Sequence, residues 1–313
     1  MAKSLDQLLQ RSRPILLDGA TGTELLRRGV STGLPLWSAH ALADRAGLEI
    51  LTTIHMDYAR AGAEILVTNT FRTSYRTLDR AGCARNWKQL NRRAVEAARE
   101  GVKASGSELA LVAGGLAPLE DCYRPDLAPD EETCYREHHR QAELLAELGV
   151  DLIFVETVNC SREAVGAVRA GTEMGLPVLI SLCPKPPAHL LSEDALEDVV
   201  PRLVDLGGEN LRGILLNCAT PDVMDACYAK LIGLAGGLAH GLYPHMGQPD
   251  DEVGWKLPKQ GEPLPLAERL LPWLDRGARF IGGCCGTTPR HIEALRQGID
   301  RREALRQRTP ARG

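Results

Sequence analysis

The amino-acid sequence predicts an α/β fold, a single (β/α)8 TIM barrel in which eight parallel strands alternate with helices. Eight short apolar runs recur along the 313 residues, helical patterns separate them, and glycines follow four of the helical stretches. Short, continuously apolar runs are typical of strands that are buried on both faces. Alternating strands and helices imply right-handed crossovers, and eight such units favour closure. An open, doubly wound sheet is the alternative.

The predicted elements follow from hydrophobic periodicity. The apolar runs predict strands at 15–17, 64–68, 109–113, 152–155, 178–182, 213–216, 238–243 and 279–281. Apolar residues at helical spacing predict helices at 87–104, 132–148, 162–174, 196–206, 221–232 and 264–276. The glycines that we expect to end helices in the left-handed conformation are Gly149, Gly175, Gly207 and Gly277.

We predict one domain over residues 1–313, with 1–13 and 299–313 as terminal extensions. Two connections are unusually long. The first, 19–63, contains Trp37 and is expected to cover one end of the barrel, and the second, 247–260, contains Trp255. Long barrel loops usually carry function, but the sequence leaves the roles of both loops, and the oligomeric state, open.

The composition argues against several classes of partner. The net charge is -4, the pI is about 6.1 and aromatic residues make up 4% of the chain, so no nucleic-acid partner is predicted. No apolar run reaches the roughly 18 residues that span a bilayer, and residues 1–13 lack the apolar centre of a secretory signal. We therefore expect a cytoplasmic protein without a membrane partner. Its nine cysteines should be thiols, and some of them can bind metal.

Polar and reactive residues follow the predicted strands. Barrel enzymes carry their sites at the C-terminal ends of the strands, so these positions are the candidates for one active site. The residues that follow the apolar runs include Asp18, Asn69, Gly114, Gly115, Glu156, Cys218, His245, Cys284 and Cys285.

Three cysteines, Cys218, Cys284 and Cys285, come directly after strands six and eight. These strands flank strand seven in a barrel, so their ends should be close although Cys218 and Cys284 lie 66 positions apart. Three thiolates at one point suit zinc, and three protein ligands leave the open position of a catalytic site. A strained redox pair or inert core residues are the alternatives for Cys284 and Cys285. The weaker candidates near strand ends are Cys122, Cys160 and Cys183, and those in helices or their connections are Cys83, Cys134 and Cys227.

At these residues the sequence resembles the homocysteine S-methyltransferase family, from about residue 14 to 296. The resemblance rests on the segments LDGATGTE (17–24), TNTF (68–71), ET (156–157), NC (217–218) and GGCCGTTP (282–289). It implies a zinc-bearing barrel that transfers a methyl group to L-homocysteine, giving L-methionine. It also implies that Cys218, Cys284 and Cys285 bind the zinc. Asp18 and Glu156 would face the amino group of homocysteine, and backbone groups near Gly19 would hold its carboxylate.

Three of these residues carry alternatives. Asp18 can instead cap a helix over 23–28, and Glu156 can pair with a nearby arginine. His245 departs from the family, in which related members often carry asparagine there. Because histidine is the better zinc ligand, we hypothesise that His245 is a labile fourth ligand that leaves when the thiol arrives. A hydrogen-bonded loop histidine is the alternative.

The methyl donor is the least determined part of the prediction. The chain ends soon after the cysteine pair, so we expect no cobalamin or folate module and no betaine-enzyme extension. This favours a sulfonium donor, S-methylmethionine or S-adenosylmethionine, beside homocysteine as the small-molecule partners. One alternative is a stand-alone homocysteine-activating subunit that takes its methyl group from a corrinoid protein or betaine. Another is a non-catalytic zinc-binding or thiol-binding barrel.

Overall fold

The computed structural model describes residues 4–250, 254–257 and 263–308. Within this part of the chain, eight parallel strands form the inner layer. They are β1 (Ile15–Leu16), β2 (Ile65–Val67), β3 (Leu111–Leu116), β4 (Leu152–Val158), β5 (Val178–Leu182), β6 (Leu211–Asn217), β7 (Ala239–Tyr243) and β8 (Phe280–Ile281). Their order is β1-β8-β7-β6-β5-β4-β3-β2, and a parallel bridge between Leu17 and Ile65 joins the first strand to the second. The predicted (β/α)8 barrel is therefore confirmed.

Helices surround the strands. In the described residues they are α1 (Leu5–Gln10), α2 (Thr21–Arg27), α3 (Arg45–Arg60), α4 (Tyr75–Arg80), α5 (Trp87–Ser105), α6 (Glu131–Glu147), α7 (Ser161–Thr172), α8 (Leu196–Gly207), α9 (Pro221–Leu234), α10 (Pro263–Leu270) and α11 (Pro289–Arg308). Local sequence explains several starts, because Ser4, Asp44 and Asp130 accept backbone N–H groups as side-chain caps of α1, α3 and α6. None of the described helices combines the length and hydrophobicity of a membrane-spanning helix.

Two strands continue three residues past their predicted C-terminal ends. Gly114 and Gly115 lie inside β3 instead of following it. A Cβ atom on Gly115 would lie 3.0 Å from Val67 Cγ1 and 3.3 Å from Glu156 Oε1, so this glycine serves side-to-side packing of the strands. β4 likewise continues past its apolar run and includes Glu156 and Thr157. The polar residues of the site can therefore belong to the strands themselves.

Three of the four predicted helix-ending glycines are confirmed. Gly149, Gly175 and Gly277 have φ angles of 78°, 68° and 89°. Gly207 was predicted wrongly, because it is the last residue of α8, and Gly208, with φ of 51°, follows it. A Cβ atom on Gly207 would lie 2.4 Å from Leu211 Cβ, so close packing requires the glycine there.

The N-terminal end of the barrel is closed by α1, which lies within the predicted 1–13 extension. Leu5 and Leu8 are buried in one cluster with Ile15 and Phe280, which belong to barrel strands. Burial of such apolar side chains stabilises the fold by about 2 kcal/mol each. This end of the barrel is therefore a closed apolar plug.

Both long connections contain secondary structure. The 19–63 connection holds α2, a 3-10 helix (Trp37–Leu42) and α3. The 247–260 connection holds an antiparallel hairpin of Gln248–Asp250 and Gly254–Lys256, while 251–253 and 258–260 lie outside the described residues. Leu34, Trp37 and Trp255 from these connections line a cavity at the C-terminal ends of the strands.

Candidate active site

The cavity at the C-terminal ends of the strands has a volume of about 170 Å³. Its lining includes six of the seven predicted site residues, which are Asp18, Gly19, Glu156, Cys218, Cys284 and Cys285. They come from the ends of β1, β4, β6 and β8. Closure of the barrel thus brings together residues that are far apart along the chain, as the strand phasing predicts.

The sulfur atoms of Cys218, Cys284 and Cys285 lie within 4.8 Å of one another. Among the described residues, this is the group of histidine, cysteine and carboxylate side chains whose spacing fits a metal ion. Cys218 adopts the left-handed backbone region, with φ of 54°, directly after β6. Gly286, with φ of 84°, follows the cysteine pair, and a Cβ atom there would lie 2.0 Å from the Met246 carbonyl oxygen. The tight turn of the GGCCG segment therefore requires glycine.

The pKa values of Cys218 and Cys284 shift in opposite directions. Hydrogen bonds from Cys218 and Cys285 hold the pKa of Cys284 well below its usual range. The hydrogen bond with Cys284 raises the pKa of Cys218 well above that range, and burial raises it further. A divalent cation stabilises coordinating thiols as thiolates. Three cysteine sulfur atoms in this arrangement therefore suit a bound zinc ion.

Polar side chains hold the sulfur cluster in place. The hydroxyl of Tyr123 lies 3.1 Å from Cys218 Sγ, within hydrogen-bonding distance. Asn217 Nδ2 donates to Thr157 Oγ1 at 2.8 Å and lies 4.0 Å from Cys284 Sγ. Such outer contacts orient metal ligands in known sites. Sequence reasoning missed Tyr123, whose position in a loop after β3 gives no signal of its contact.

Asp18 is a buried carboxylate and Glu156 is a half-buried one, and neither has an ion pair among the described residues. Asp18 Oδ2 accepts the backbone N–H of Val67 at 2.9 Å, and burial raises the pKa of Asp18 to about 8. Burial also raises the pKa of Glu156 well above its usual range. The helix-cap alternative for Asp18 is wrong, because Ala20 is the N-cap of α2 and receives no side-chain cap bond. The two carboxylates are arranged so that a cationic ligand would favour their ionised forms.

The glycines of the LDGATGTE segment permit close approach around the cavity. A Cβ atom on Gly19 would lie 2.8 Å from both Thr287 Oγ1 and Tyr58 Oη. A Cβ atom on Gly22 would lie 2.5 Å from the Trp37 ring. The backbone of this segment therefore forms part of the cavity wall directly, with no side chain in between.

Comparison with known proteins gives the family of the chain. Residues 15–299 match the family described as homocysteine S-methyltransferase. The chain belongs to the homocysteine S-methyltransferase family. It is 33% identical to the homocysteine S-methyltransferase of Escherichia coli (strain K12) over 310 residues, which cover 93% of this chain and 97% of the relative. It is 29% identical to homocysteine S-methyltransferase 1 of Arabidopsis thaliana, with 92% and 94% covered.

Structural comparison agrees with this homocysteine S-methyltransferase assignment. The crystal structure of the homocysteine methyltransferase MmuM from Escherichia coli, in its metallated form, is similar with a TM-score of 0.81 and 30% sequence identity. The similarity covers 94% of this chain and 99% of that one. The predicted family and the predicted enzyme class, a methyltransferase, are therefore confirmed.

In this family member, His245 is near the cysteines but outside the group of mutually close ligand atoms. Its backbone N–H donates to the Ala219 carbonyl at 3.1 Å, and its ring lies 5.0 Å from the Trp255 ring. Its Nδ1 is buried without a hydrogen-bond partner in the described part of the chain, and burial lowers the pKa of the ring. The role of His245 as a labile ligand stays a prediction.

Proposed function

We propose that the protein transfers a methyl group to the thiol of L-homocysteine, giving L-methionine, with a zinc ion held by Cys218, Cys284 and Cys285. The observation that carries this proposal is the sulfur cluster, with all three Sγ atoms within 4.8 Å, in the wall of a cavity. When bound, a zinc ion supplies the positive charge that keeps a thiol ionised near neutral pH, where a free thiol with a pKa of about 8.5 is mostly protonated.

We propose that Asp18 and Glu156 bind the ammonium group of homocysteine and that backbone groups near Gly19 hold its carboxylate. Support comes from the position of both carboxylates in the cavity wall, where neither has an ion pair with a described residue. Burial removes the stabilisation that water gives to a charged carboxylate. A bound ammonium group would replace that stabilisation. The chain would thereby orient the thiol for direct attack on a methyl carbon, and such orientation is a large part of catalysis in two-substrate reactions.

For the methyl donor we propose a sulfonium compound, S-methylmethionine or S-adenosylmethionine. The cavity wall includes the aromatic rings of Trp37, Phe71 and Trp255, together with the carboxylates of Asp121 and Asp250. Aromatic faces and carboxylates both attract a cation, as a sulfonium centre is.

We propose His245 as a labile fourth ligand of the zinc ion. Its buried Nδ1 without a described partner, beside the cysteine cluster, supports this role. Optical spectra of cobalt-substituted protein and of His245→Ala test it. A change in the resting spectrum of the variant supports the role, and identical resting spectra would remove it.

We propose further that residues 1–313 form one domain, with 1–13 and 299–313 as its terminal extensions. Packing of Leu5 and Leu8 against the strand residue Phe280 supports continuity of the N-terminal segment with the barrel. We also propose a reducing compartment such as the cytoplasm, because oxidation of the three thiols would prevent metal binding.

Metal analysis and a donor panel test the proposed function. We expect one zinc ion per chain in reduced protein, and methionine formation from homocysteine with S-methylmethionine or S-adenosylmethionine. Turnover with only betaine or a methylated corrinoid protein would support the stand-alone subunit instead. Homocysteine binding without turnover on any donor would support a non-catalytic barrel. Reduced protein that binds no stoichiometric metal would contradict the proposal.

A further inference from the structure

The lining of the cavity has more carboxyl groups than cationic groups. Its carboxylates are Asp18, Asp121, Glu156 and Asp250, and the last of these pairs with Lys256. Among the described lining residues, Arg72 is the one cation. Homocysteine and a sulfonium amino acid each bring a carboxylate into this cavity, and a carboxylate needs N–H donors or a cation beside it.

Arg72 differs from the arginines that follow it in the sequence. Arg76 and Arg80 both bind the carboxylate of Glu120. Arg72 instead donates through Nη1 to the backbone carbonyl of Glu120 at 3.1 Å and makes no ion pair with a described residue. Its Nε is buried without a hydrogen-bond partner in the described part of the chain. The guanidinium is thus held in place while its charge is left unmatched.

The surroundings of Arg72 suit a ligand with a positive and a negative end. The guanidinium carbon lies 5.2 Å from the centre of the Phe71 ring. The Phe71 ring in turn packs edge-on against Trp37, with ring centres 5.6 Å apart, and both rings line the cavity. Aromatic rings attract cations, whereas a guanidinium binds carboxylates, often through two parallel hydrogen bonds. The aromatic rings and the guanidinium group lie side by side in the cavity wall.

Arg72 lines the same cavity as Cys218, Cys284 and Cys285. Tyr123, whose hydroxyl lies 3.1 Å from Cys218 Sγ, also lines it. A ligand bound in this cavity can therefore contact Arg72 at one end and face the sulfur atoms at the other.

We infer that Arg72 binds the carboxylate of the methyl donor and makes the donor site specific for sulfonium amino acids. The inference rests on the proposed function, which assigns homocysteine to Asp18, Gly19 and Glu156 and leaves Arg72 for the second substrate. S-methylmethionine and S-adenosylmethionine share the amino-acid end that Arg72 would bind. Simple sulfonium compounds and betaine esters lack this combination of a carboxylate, an ammonium and a methylated sulfur.

Steady-state kinetics with two donors test the inference. The donors are S-methylmethionine and its carboxamide, which keeps the sulfonium but has no carboxylate. We expect Arg72→Met to raise the KM for S-methylmethionine at least about tenfold, because a charged hydrogen bond is lost. The KM for the carboxamide and the KM for homocysteine should stay within about twofold. Arg72→Lys should recover part of the loss, since lysine keeps the charge without the planar fork.

Arg80→Met is the matched control. It removes a cation from the same Glu120 cluster, but Arg80 does not line the cavity, so all three KM values should stay at the wild-type level. Equal losses for both donors in Arg72→Met would show that Arg72 only supports the loop, and the inference would fall. A rise in the KM for homocysteine instead would show that Arg72 binds homocysteine, and this result would also overturn the inference.

Failure of the inference differs from failure of the proposed function. If the wild-type protein uses the carboxamide and S-methylmethionine equally well, the inference falls and the proposed function stands. If it transfers no methyl group from either sulfonium donor, the proposed donor class and the inference fall together. Far-ultraviolet circular dichroism of each variant confirms that a kinetic change is not a loss of fold.

Discussion

The two ends of the barrel bury carboxylates in opposite ways. At the N-terminal end, Glu64 is 2% exposed, and it accepts from Arg11 Nη1 at 2.8 Å and from the backbone N–H of Leu16 at 3.3 Å. At the C-terminal end, Asp18 and Glu156 have no ion pair among the described residues, and burial raises the pKa of both. The Glu64 carboxylate has its charge partner within the chain, whereas the proposed cationic ligand would supply the partner for Asp18 and Glu156.

This difference separates stability from function. A buried charge costs several kcal/mol unless it is paired and hydrogen-bonded. The N-terminal end meets that cost with Arg11, and its removal should affect the free energy of unfolding. The carboxyl groups at the C-terminal end have raised pKa values and no charge partner among the described residues, so changes there should affect substrate binding and leave stability unchanged or improved.

Replacement of a cysteine should have the largest effect. Cys284→Ser exchanges a thiolate ligand for a hydroxyl that stays protonated near neutral pH. We expect zinc content well below one per chain and a loss of methionine formation of more than about 100-fold. Cys83→Ser, in the connection after α4, is the control and should keep both. Full metal content and activity in Cys284→Ser would contradict the assignment of the C-terminal end of the barrel as the functional end.

Removal of one C-terminal carboxylate should come next. Glu156→Gln keeps the shape but removes the charge, so we expect the KM for homocysteine to rise about 10-fold to 100-fold. The melting temperature should stay the same or increase, because an unpaired buried carboxylate is lost. Kinetics and thermal unfolding measure both quantities. An equally weakened binding of a thiol without the amino group, such as 4-mercaptobutyrate, would contradict a contact to the ammonium.

The N-terminal end should respond in the opposite way. Arg11→Met leaves the Glu64 carboxylate buried alone, and we expect the free energy of unfolding to fall by about 3 kcal/mol. Denaturant unfolding measures this change, and the KM for homocysteine should stay the same. Adding Glu64→Gln to Arg11→Met should recover part of the stability. A kinetic defect in folded Arg11→Met would remove the separation between the two ends.

His55 in α3 extends the comparison to a site that no ligand reaches. It is fully buried, neither ring nitrogen has a partner in the described residues, and burial lowers its pKa to about 4. The unfolded chain, with a histidine pKa near 6.5, binds the proton more tightly, so stability falls as pH drops below about 6.5 and levels off below about 4.

The expected size of this effect is modest. Between pH 7 and pH 5, His55 should account for a loss of about 2 kcal/mol in the free energy of unfolding. Urea unfolding of wild type and His55→Leu at the two pH values measures it. The variant should show the smaller pH difference, and an unchanged difference would mean that folding does not lower the pKa of His55.

The sequence allowed the strands and most helices to be predicted because burial on both faces leaves continuous apolar runs. The predicted boundaries of strands and helices were wrong where one residue type can serve more than one structural purpose. Gly115 and Gly207 were interpreted as the ends of elements, but both are needed because a neighbouring side chain approaches within about 3 Å of the missing Cβ. No local pattern distinguishes a glycine used for packing from one used for a turn.

The residues of the site also differ in how far the sequence could predict their contacts. Strand phasing places Asp18, Cys218 and Cys284 at the same end of the barrel, so their juxtaposition could be predicted from order alone. The contacts of Tyr123 and Arg72 could not, because they link loops across 95 and 48 positions respectively. Whether such a loop residue faces the cavity depends on the folded path of the loop, which periodicity does not describe.

The shortest strands of the barrel adjoin the cysteine pair. β8 pairs with β1 and with β7 at two positions each, and one bridge joins Leu17 to Ile65, whereas β6 pairs with β7 at five positions. Backbone hydrogen bonds outside the strands continue this pairing, since Gly283 N–H donates to the Asp18 carbonyl oxygen and Cys284 N–H donates to the Pro244 carbonyl oxygen. Cys218 and Cys284 extend from β6 and β8, which do not pair with each other. An ion bound by both would span β7 and cross-link these two strands.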